Sequence, residues 1–406
     1  MKITHIHIER FRGFQNEDFE VGSLLTAIAG QNGTQKSTLL GIITQTFTLK
    51  TEDSMRVEKP LCGGSYISAF KDKFRLSPTF DKPKGHEWTI SFDAGMDDFT
   101  VESIKRTGDP NVRFWKKGAR QEGDGYISFP TIFLSLKRLV PVAEEAKIIT
   151  DDTLLTQEEL NEFKQLHNKI LIAQTPISSA TTITSKNKQS IGVSTELYDW
   201  NQNSMGQDNL GKIILALFSF KRLHDKYPRQ YKGGILAIDE MDATMYPASQ
   251  VELLKVLRKY ASKLNLQILF TTHSMSLLKA MDDLVQEVTK KEETANQAKI
   301  LYLKKVDDKI AIKQGVNFKG IQLDLNVVAE GNNRKKNRIT AYTEDKENIL
   351  FVKAILKSKA FVLDFVDVTL PCSTLMELVT KRVPAFIYPY SIAVSYTHLT
   401  LPTIRL

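Results

Sequence analysis

The sequence predicts an α/β protein with a mixed, largely parallel sheet, and two stretches of chain carry that prediction. An apolar run at 24–29 passes directly into a glycine-rich turn and then into a helical pattern from Lys36 to about Thr48. Further along, a helical pattern at 209–225, an apolar run at 234–238, a second helix at 247–263 and a second apolar run at 266–271 alternate. Short runs that are apolar throughout, each joined to a helix, are how strands covered on both faces read in sequence. At 406 residues the chain is long enough for about two domains.

The remaining elements come in chain order. Residues 3–8 alternate apolar and polar side chains as a half-buried strand does, and a loop around Arg12-Gly13-Phe14 comes next. Several short alternating runs occupy 86–136, among them Trp88-Thr89-Ile90-Ser91-Phe92 and 126–134, so an antiparallel subdomain is expected there. From about 142 to 195 the chain reads as a helical insertion. Thr156-Gln157-Glu158-Glu159 has the form of a capping box opening an amphipathic helix through Leu171, and a Ser/Thr/Lys-rich loop at 178–190 comes after it. After a charged stretch at 282–298, strands at 299–305 and 309–313 close a first domain, 1–325. A strand, a helix (346–357), an apolar strand (360–366) and another helix (373–381) form a second segment at 338–390.

Composition narrows the function classes. Charged residues make up 25% and hydrophobic ones 42%, the balance of a soluble globular protein. No apolar run approaches membrane-spanning length and the start does not read as a secretion signal, so a cytoplasmic protein without a membrane partner is expected. Cys62 and Cys372 lie far apart, which excludes a disulfide framework. The net charge of +8 favours a polyanionic partner such as DNA. Basic runs stand at Lys116-Lys117, Lys304-Lys305 and Arg334-Lys335-Lys336-Asn337-Arg338; each reads equally well as a solvated surface.

Gly30-Gln31-Asn32-Gly33-Thr34-Gln35-Lys36-Ser37-Thr38 has the form of a phosphate-binding P-loop. In such a loop, backbone N–H groups and a helix N-terminus cradle phosphate oxygens, the lysine reaches the β and γ phosphates, and the Ser37 hydroxyl ligates Mg²⁺. One position departs from the pattern: Gln35 stands where Gly is usual, and a left-handed backbone there would cost roughly 1–2 kcal/mol. The run 235–238 ends in Asp239-Glu240, suited to holding the Mg²⁺ shell (Asp239) and to polarising an attacking water (Glu240). The local alternative is a solvated acidic turn. Ser204-Met205-Gly206-Gln207 precedes a helix and reads by itself as a helix cap. Thr271-Thr272-His273-Ser274 ends the next apolar strand.

Taken in order, these motifs resemble those of ABC-type P-loop ATPases over roughly residues 1–315. Ser204, Gly206 and Gln207 match the signature motif, with Met205 in place of its first Gly; His273 matches the switch histidine. The spacings are 35 positions from Ser204 to Asp239 and 34 from Asp239 to His273. Residues 241–247 also resemble the D-loop, with Tyr246 where His is frequent. The resemblance implies ATP and Mg²⁺ as ligands. It also implies catalytic roles for Glu240 and His273, and a site completed in trans by Ser204, Gly206 and Gln207 of a second copy, hence a homodimer. Ile8-Glu9-Arg10-Phe11-Arg12-Gly13-Phe14 is similar to the opening of the RecF, SMC and OLD group. The stretch 133–141 is similar to defence-associated ATPases of OLD or Septu type. Residues 339–348 resemble the first motif of a TOPRIM nuclease domain, which implies Glu344 and Glu347 as metal ligands; a charged helix start explains these acids equally well. The later Asp-x-Asp pair of such a domain is not found. Residues 391–406 look like translated adaptor sequence, so a non-native tail is expected there and the chain itself is expected to lack cleavage. The functional expectation is an ATPase controlling a DNA nuclease in cis or in a partner, in antiviral defence. Its alternatives are a RecF-like DNA-repair ATPase and a non-catalytic ATP-binding scaffold.

Overall fold

The apolar run at 24–29 is the strand Leu25–Gly30, buried along its whole length, and it sits inside a six-stranded mixed sheet in the computed structural model. The described residues are all except 51, 67–69, 94, 106–111, 119–124, 141–147, 152–153, 174, 185–188, 331–338, 358–359, 361–362, 382–390 and 395–406. Across the sheet the strands run Lys309–Lys313, Ala298–Val306, Leu25–Gly30, Leu266–Thr272, Gly234–Ile238 and Thr131–Leu134. All neighbours are parallel except the outer hairpin, Ala298–Val306 with Lys309–Lys313. Register decides where the loops emerge. Ala29 is opposite Thr272 and Ile238 opposite Phe270, so the turns after three neighbouring strands come out at one carboxyl edge. Ligands of open α/β sheets bind at that edge.

The helix Pro247–Lys263, with proline at its start where the missing N–H does no harm, packs on Leu266–Thr272. The helix Met275–Val288 packs between it and Ala298–Val306. A five-stranded antiparallel sheet runs Phe14–Glu20, Ile3–Phe11, Glu87–Phe92, Phe99–Lys105, Val112–Lys116. Alternation puts Ile6, Ile8, Phe11, Trp88, Ile90 and Phe114 into one core cluster with Ile28 and Leu269 of the first sheet and Leu39 of the helix Lys36–Thr44. Burying each of these side chains contributes roughly 1.5–3 kcal/mol. Gln267 stitches the two sheets together, accepting from the Ile3 N–H (2.7 Å) and donating to the Ile3 carbonyl (2.8 Å).

Three expectations are corrected. The 126–134 run does not belong to the antiparallel sheet: Thr131–Leu134 is the edge strand of the central sheet, parallel to Gly234–Ile238. Its side chains are buried or half-buried on both faces, the mark of a doubly covered strand. The 178–190 loop is largely a hairpin, Ser179–Thr184 paired antiparallel with Gln189–Ser194. Thr and Ile favour a pleated surface, which here outweighs a loop-like composition. The insertion is therefore mixed: the hairpin, the strand Ile149–Asp151 and the helix Gln157–Leu171, which does begin with the predicted capping box at Thr156 and Glu159.

The chain divides into two compact units, Met1–Gln322 and Leu323–Leu406. The second contains a three-stranded parallel sheet, with Ile339–Thr343 between Leu363–Thr369 and Ser391–Val394, and the helices Lys346–Leu356 and Cys372–Thr380. The basic run at 334–338 and the tail from 395 lie outside the described residues, whereas Ser391–Val394, expected to be non-native, pairs with Ile339–Thr343. Among the described residues no helix is long and apolar enough to cross a membrane.

Candidate active site

The strand Leu25–Gly30 ends against its neighbour so closely that a Cβ on Gly30 would lie 2.5 Å from the Leu303 carbonyl oxygen. Gly30 also has φ +154 and Gly33 φ +79, conformations a side chain resists. The loop folds back on itself, with Thr34 Oγ1 donating to the Gln31 carbonyl (2.8 Å). It runs into the helix Lys36–Thr44, whose first turn carries no acidic residue and whose N-cap makes no side-chain hydrogen bond. The first N–H groups of that helix are suited to an anion.

Gln35 is the N-cap, at φ 62 and ψ 31, so the residue that departs from the P-loop pattern occupies the left-handed conformation the pattern reserves for Gly. The strain is roughly 1–2 kcal/mol. Its side chain packs beside Gly13, whose absent Cβ would fall 2.8 Å from Gln35 Nε2. Gly13 thus makes room for Gln35.

Lys36 is buried, and its Nζ donates to the carbonyls of Gly30 (3.0 Å) and Gln31 (2.9 Å). Burial lowers its pKa, against the opposing pull of Glu240, Asp239 and Asp242. Ser37 Oγ donates to Asp239 Oδ1 at 2.8 Å, and Thr271 Oγ1 donates to the same oxygen at 2.7 Å. The Glu240 N–H donates to Thr271 Oγ1 (2.6 Å), which places Glu240 directly beside that pair. Glu240 itself is left-handed, φ 49. His273 is exposed at the end of the next strand, its N–H donating to Asp242 Oδ1 (3.3 Å). Partial desolvation of the ring and the nearby Lys36 lower its pKa, which favours the neutral imidazole with one donor and one acceptor nitrogen.

A hydroxyl and a carboxylate held together beside a lysine amine are a donor set that suits Mg²⁺ with a nucleoside triphosphate. Ser37 and Asp239 would hold the metal, and Lys36 and the loop N–H groups the phosphates. Asn32 and Gly33 lie exposed at the loop tip, and Thr38 Oγ1 lies 3.5 Å from Arg12 Nη1. Arg12 is itself held by both oxygens of Asp81, at 3.1 Å each.

Ser204, Gly206 and Gln207 open the helix Met205–Lys226, four residues earlier than the predicted start. The reciprocal cap accounts for the earlier start: the Ser204 N–H donates to Gln207 Oε1 (2.8 Å) and the Gln207 N–H to Ser204 Oγ (3.4 Å). A Cβ on Gly206 would lie 2.6 Å from the Thr244 carbonyl oxygen, so the helix end docks tightly on the turn after Glu240. In the second unit, Glu344 follows the strand Ile339–Thr343, Asp345 caps the helix Lys346–Leu356 through the Asn348 N–H (2.8 Å), and Glu347 is in its first turn. Among the described residues no group of three or more His, Cys, Asp and Glu is placed to hold a metal.

Sequence reasoning missed Arg12, Thr271, Asn209 and Arg138 as site residues. Arg138 is 2% exposed and lies behind Glu240, whose carbonyl accepts from its Nη2 at 2.7 Å. Burial pushes its guanidinium down to about 10, against the pull of Asp239, Glu240 and Asp242, so it is charged at neutral pH. The 133–141 stretch contained the signal, but nothing local marks an arginine there as buried.

Residues 135–278 match a family described as AAA ATPase domain, a stretch that takes in Arg138, Asn209, Asp239, Glu240 and His273 and leaves out the P-loop. No curated protein matches the chain. Among solved structures it is similar to the SMC head domain from Thermotoga maritima, at 14% identity and TM-score 0.43 over 78% of this chain and 100% of that one. It is also similar to an SMC head with extended coiled coil bound to the C-terminal domain of ScpA, derived from Pyrococcus furiosus, at 12% identity and TM-score 0.43 over 81% and 99%. The recombination mediator RecF gives 11% identity and TM-score 0.39 over 77% and 98%.

Proposed function

We propose that this protein hydrolyses ATP with Mg²⁺ at the 30–38 loop, and that the 204–207 turn of a second copy completes each site. The observation that carries the reading is the bonded set Ser37, Asp239 and Thr271 with Glu240 beside it and Lys36 in the same loop. Bound Mg²⁺ would neutralise charge on the transferring phosphoryl group. Lys36 and the helix N-terminus hold and orient phosphate oxygens. Glu240 accepts a proton from the attacking water, and neutral His273 donates a hydrogen bond toward the same region.

The dimeric part is tested by complementation. Lys36→Ala and Ser204→Arg are each expected to abolish turnover alone. Mixed in equal amounts they should recover about a quarter of wild-type activity, because half the dimers are mixed and each mixed dimer has one intact site. No recovery, with mixed dimers demonstrated by pull-down, sinks the trans arrangement.

The finer reading is that this ATPase governs DNA cleavage, by the C-terminal segment or by a partner nuclease, in antiviral defence. The net charge of +8 and the carboxylates of Glu344 and Glu347 at a strand-to-helix junction support it. The test is Mg²⁺-dependent cleavage of plasmid DNA by the protein recovered from its natural locus with whatever copurifies. Cleavage that disappears with Glu344→Ala supports the in-cis form, and loss with Glu240→Gln alone supports the partner form. Cleavage that survives both substitutions, or no cleavage, overturns the reading.

A further inference from the structure

The feature the proposed chemistry leaves unused is the buried pair Arg138 and Asn209. Arg138 lies in the 3-10 turn Leu136–Leu139 that follows the edge strand, where its guanidinium is turned inward under the Asp239-Glu240 corner. Its donors are spread over four acceptors: Nη1 to the carbonyls of Leu134 (3.3 Å) and Ser135 (3.1 Å), Nη2 to the carbonyl of Glu240 (2.7 Å), and Nε to Asn209 Oδ1 (2.7 Å). Asn209, 0% exposed, then donates through Nδ2 to the carbonyl of Ala243 (2.9 Å). The two side chains therefore grip both ends of the turn that follows the strand Gly234–Ile238. That turn needs gripping, because Glu240 (φ 49) and Thr244 (φ 68) are both left-handed non-glycine residues. Each is disfavoured by roughly 1–2 kcal/mol and persists where its surroundings over-determine it. A buried guanidinium costs a good deal to desolvate, so a position where it serves carbonyls and an amide is a poor one for packing alone. Its planar fork of donors is what reaches four acceptors at once.

Asn209 is also in the second turn of the helix that begins at Ser204, and Gly206 of that helix rests on Thr244. We propose that Arg138 and Asn209 form a clamp that positions Glu240 for hydrolysis and ties it to the 204–207 helix end. This rests on the reading that 204–207 faces the nucleotide of a second copy. Engagement of a neighbour's nucleotide at Ser204 is then felt at the Glu240 carbonyl of the same chain through one rigid path, Ser204 helix to Asn209 to Arg138. Both are positioning residues; neither touches the reacting atoms.

The test uses Arg138→Lys, which keeps the charge but loses the fork, and Asn209→Ala, a small lesion that guards against a misfolded arginine variant. Each is expected to lower kcat for Mg·ATP by roughly 10–100-fold, since small misplacements of a catalytic group cost that much, with KM within about threefold. The double variant should be no worse than the worse single one, because the pair acts as a unit. A second readout does not depend on ATP: amide hydrogen exchange of the nucleotide-free protein. Exchange should quicken at 239–245 and 204–210 in either variant and stay unchanged in the strands Leu25–Gly30 and Leu266–Thr272. Exchange unchanged at both segments overturns the clamp whatever the ATPase result. Unchanged kcat, or a loss confined to KM, overturns its role in hydrolysis. If wild-type protein shows no turnover, the ATPase reading itself has failed, and the exchange experiment alone decides whether the clamp exists.

Discussion

Glu240→Gln is expected to reduce ATP turnover by roughly 10²–10³-fold, since it removes the proposed general base while keeping its shape. Its backbone is tied at both sides, by its N–H to Thr271 Oγ1 and by its carbonyl to Arg138, so an isosteric amide leaves the corner in place. The hydrogen-bonded pair Ser37 and Asp239, proposed to hold the metal, is untouched. Nucleotide affinity should therefore stay within about threefold, the pattern of a loss confined to the transition state. Phosphate release and fluorescent-nucleotide binding measure the two quantities separately. Turnover equal to wild type would refute Glu240 as the base.

Lys36→Ala should weaken binding as well as abolish turnover. The amine is the cation within the 30–38 loop, and charge-assisted hydrogen bonds of about 1.5–3 kcal/mol correspond to a roughly 10–100-fold weaker Kd for Mg·ATP. The fold should tolerate the change. Lys36 is buried, and that burial disfavours its charged form, so its removal relieves a desolvation penalty while giving up hydrogen bonds to two loop carbonyls. Isothermal titration calorimetry with a nonhydrolysable ATP analogue, paired with a melting curve, checks both halves. An unchanged Kd would place the triphosphate elsewhere, and a collapsed melting temperature would mean that Lys36 is chiefly structural.

How much of the fold and site was legible depends on the range of the forces involved. The strand Leu25–Gly30, the helix Pro247–Lys263 and the capping box at Thr156 were readable, because apolar runs, an N1 proline and i to i+3 caps are local signals. The 131–134 run looked like one more alternating strand. Which sheet it joined depended on Gly234–Ile238, about a hundred positions away, offering a free parallel edge. The 179–194 hairpin was hidden by its Ser, Thr and Lys content, because composition reports solvation more readily than pairing.

The loop at 30–38 and the carboxylates at 239 and 240 were set out by the sequence alone, since each is a short run whose chemistry is written in neighbouring residues. Folding added the contacts between runs. The strand order brought Ser37 to within 2.8 Å of Asp239, Gly13 made room for Gln35, and the 3-10 turn carried Arg138 beneath Glu240. Those contacts join residues far apart in the chain. A linear pattern records which groups are present, while the burial that makes a lone arginine organise a turn arises only when strands and helices close over it.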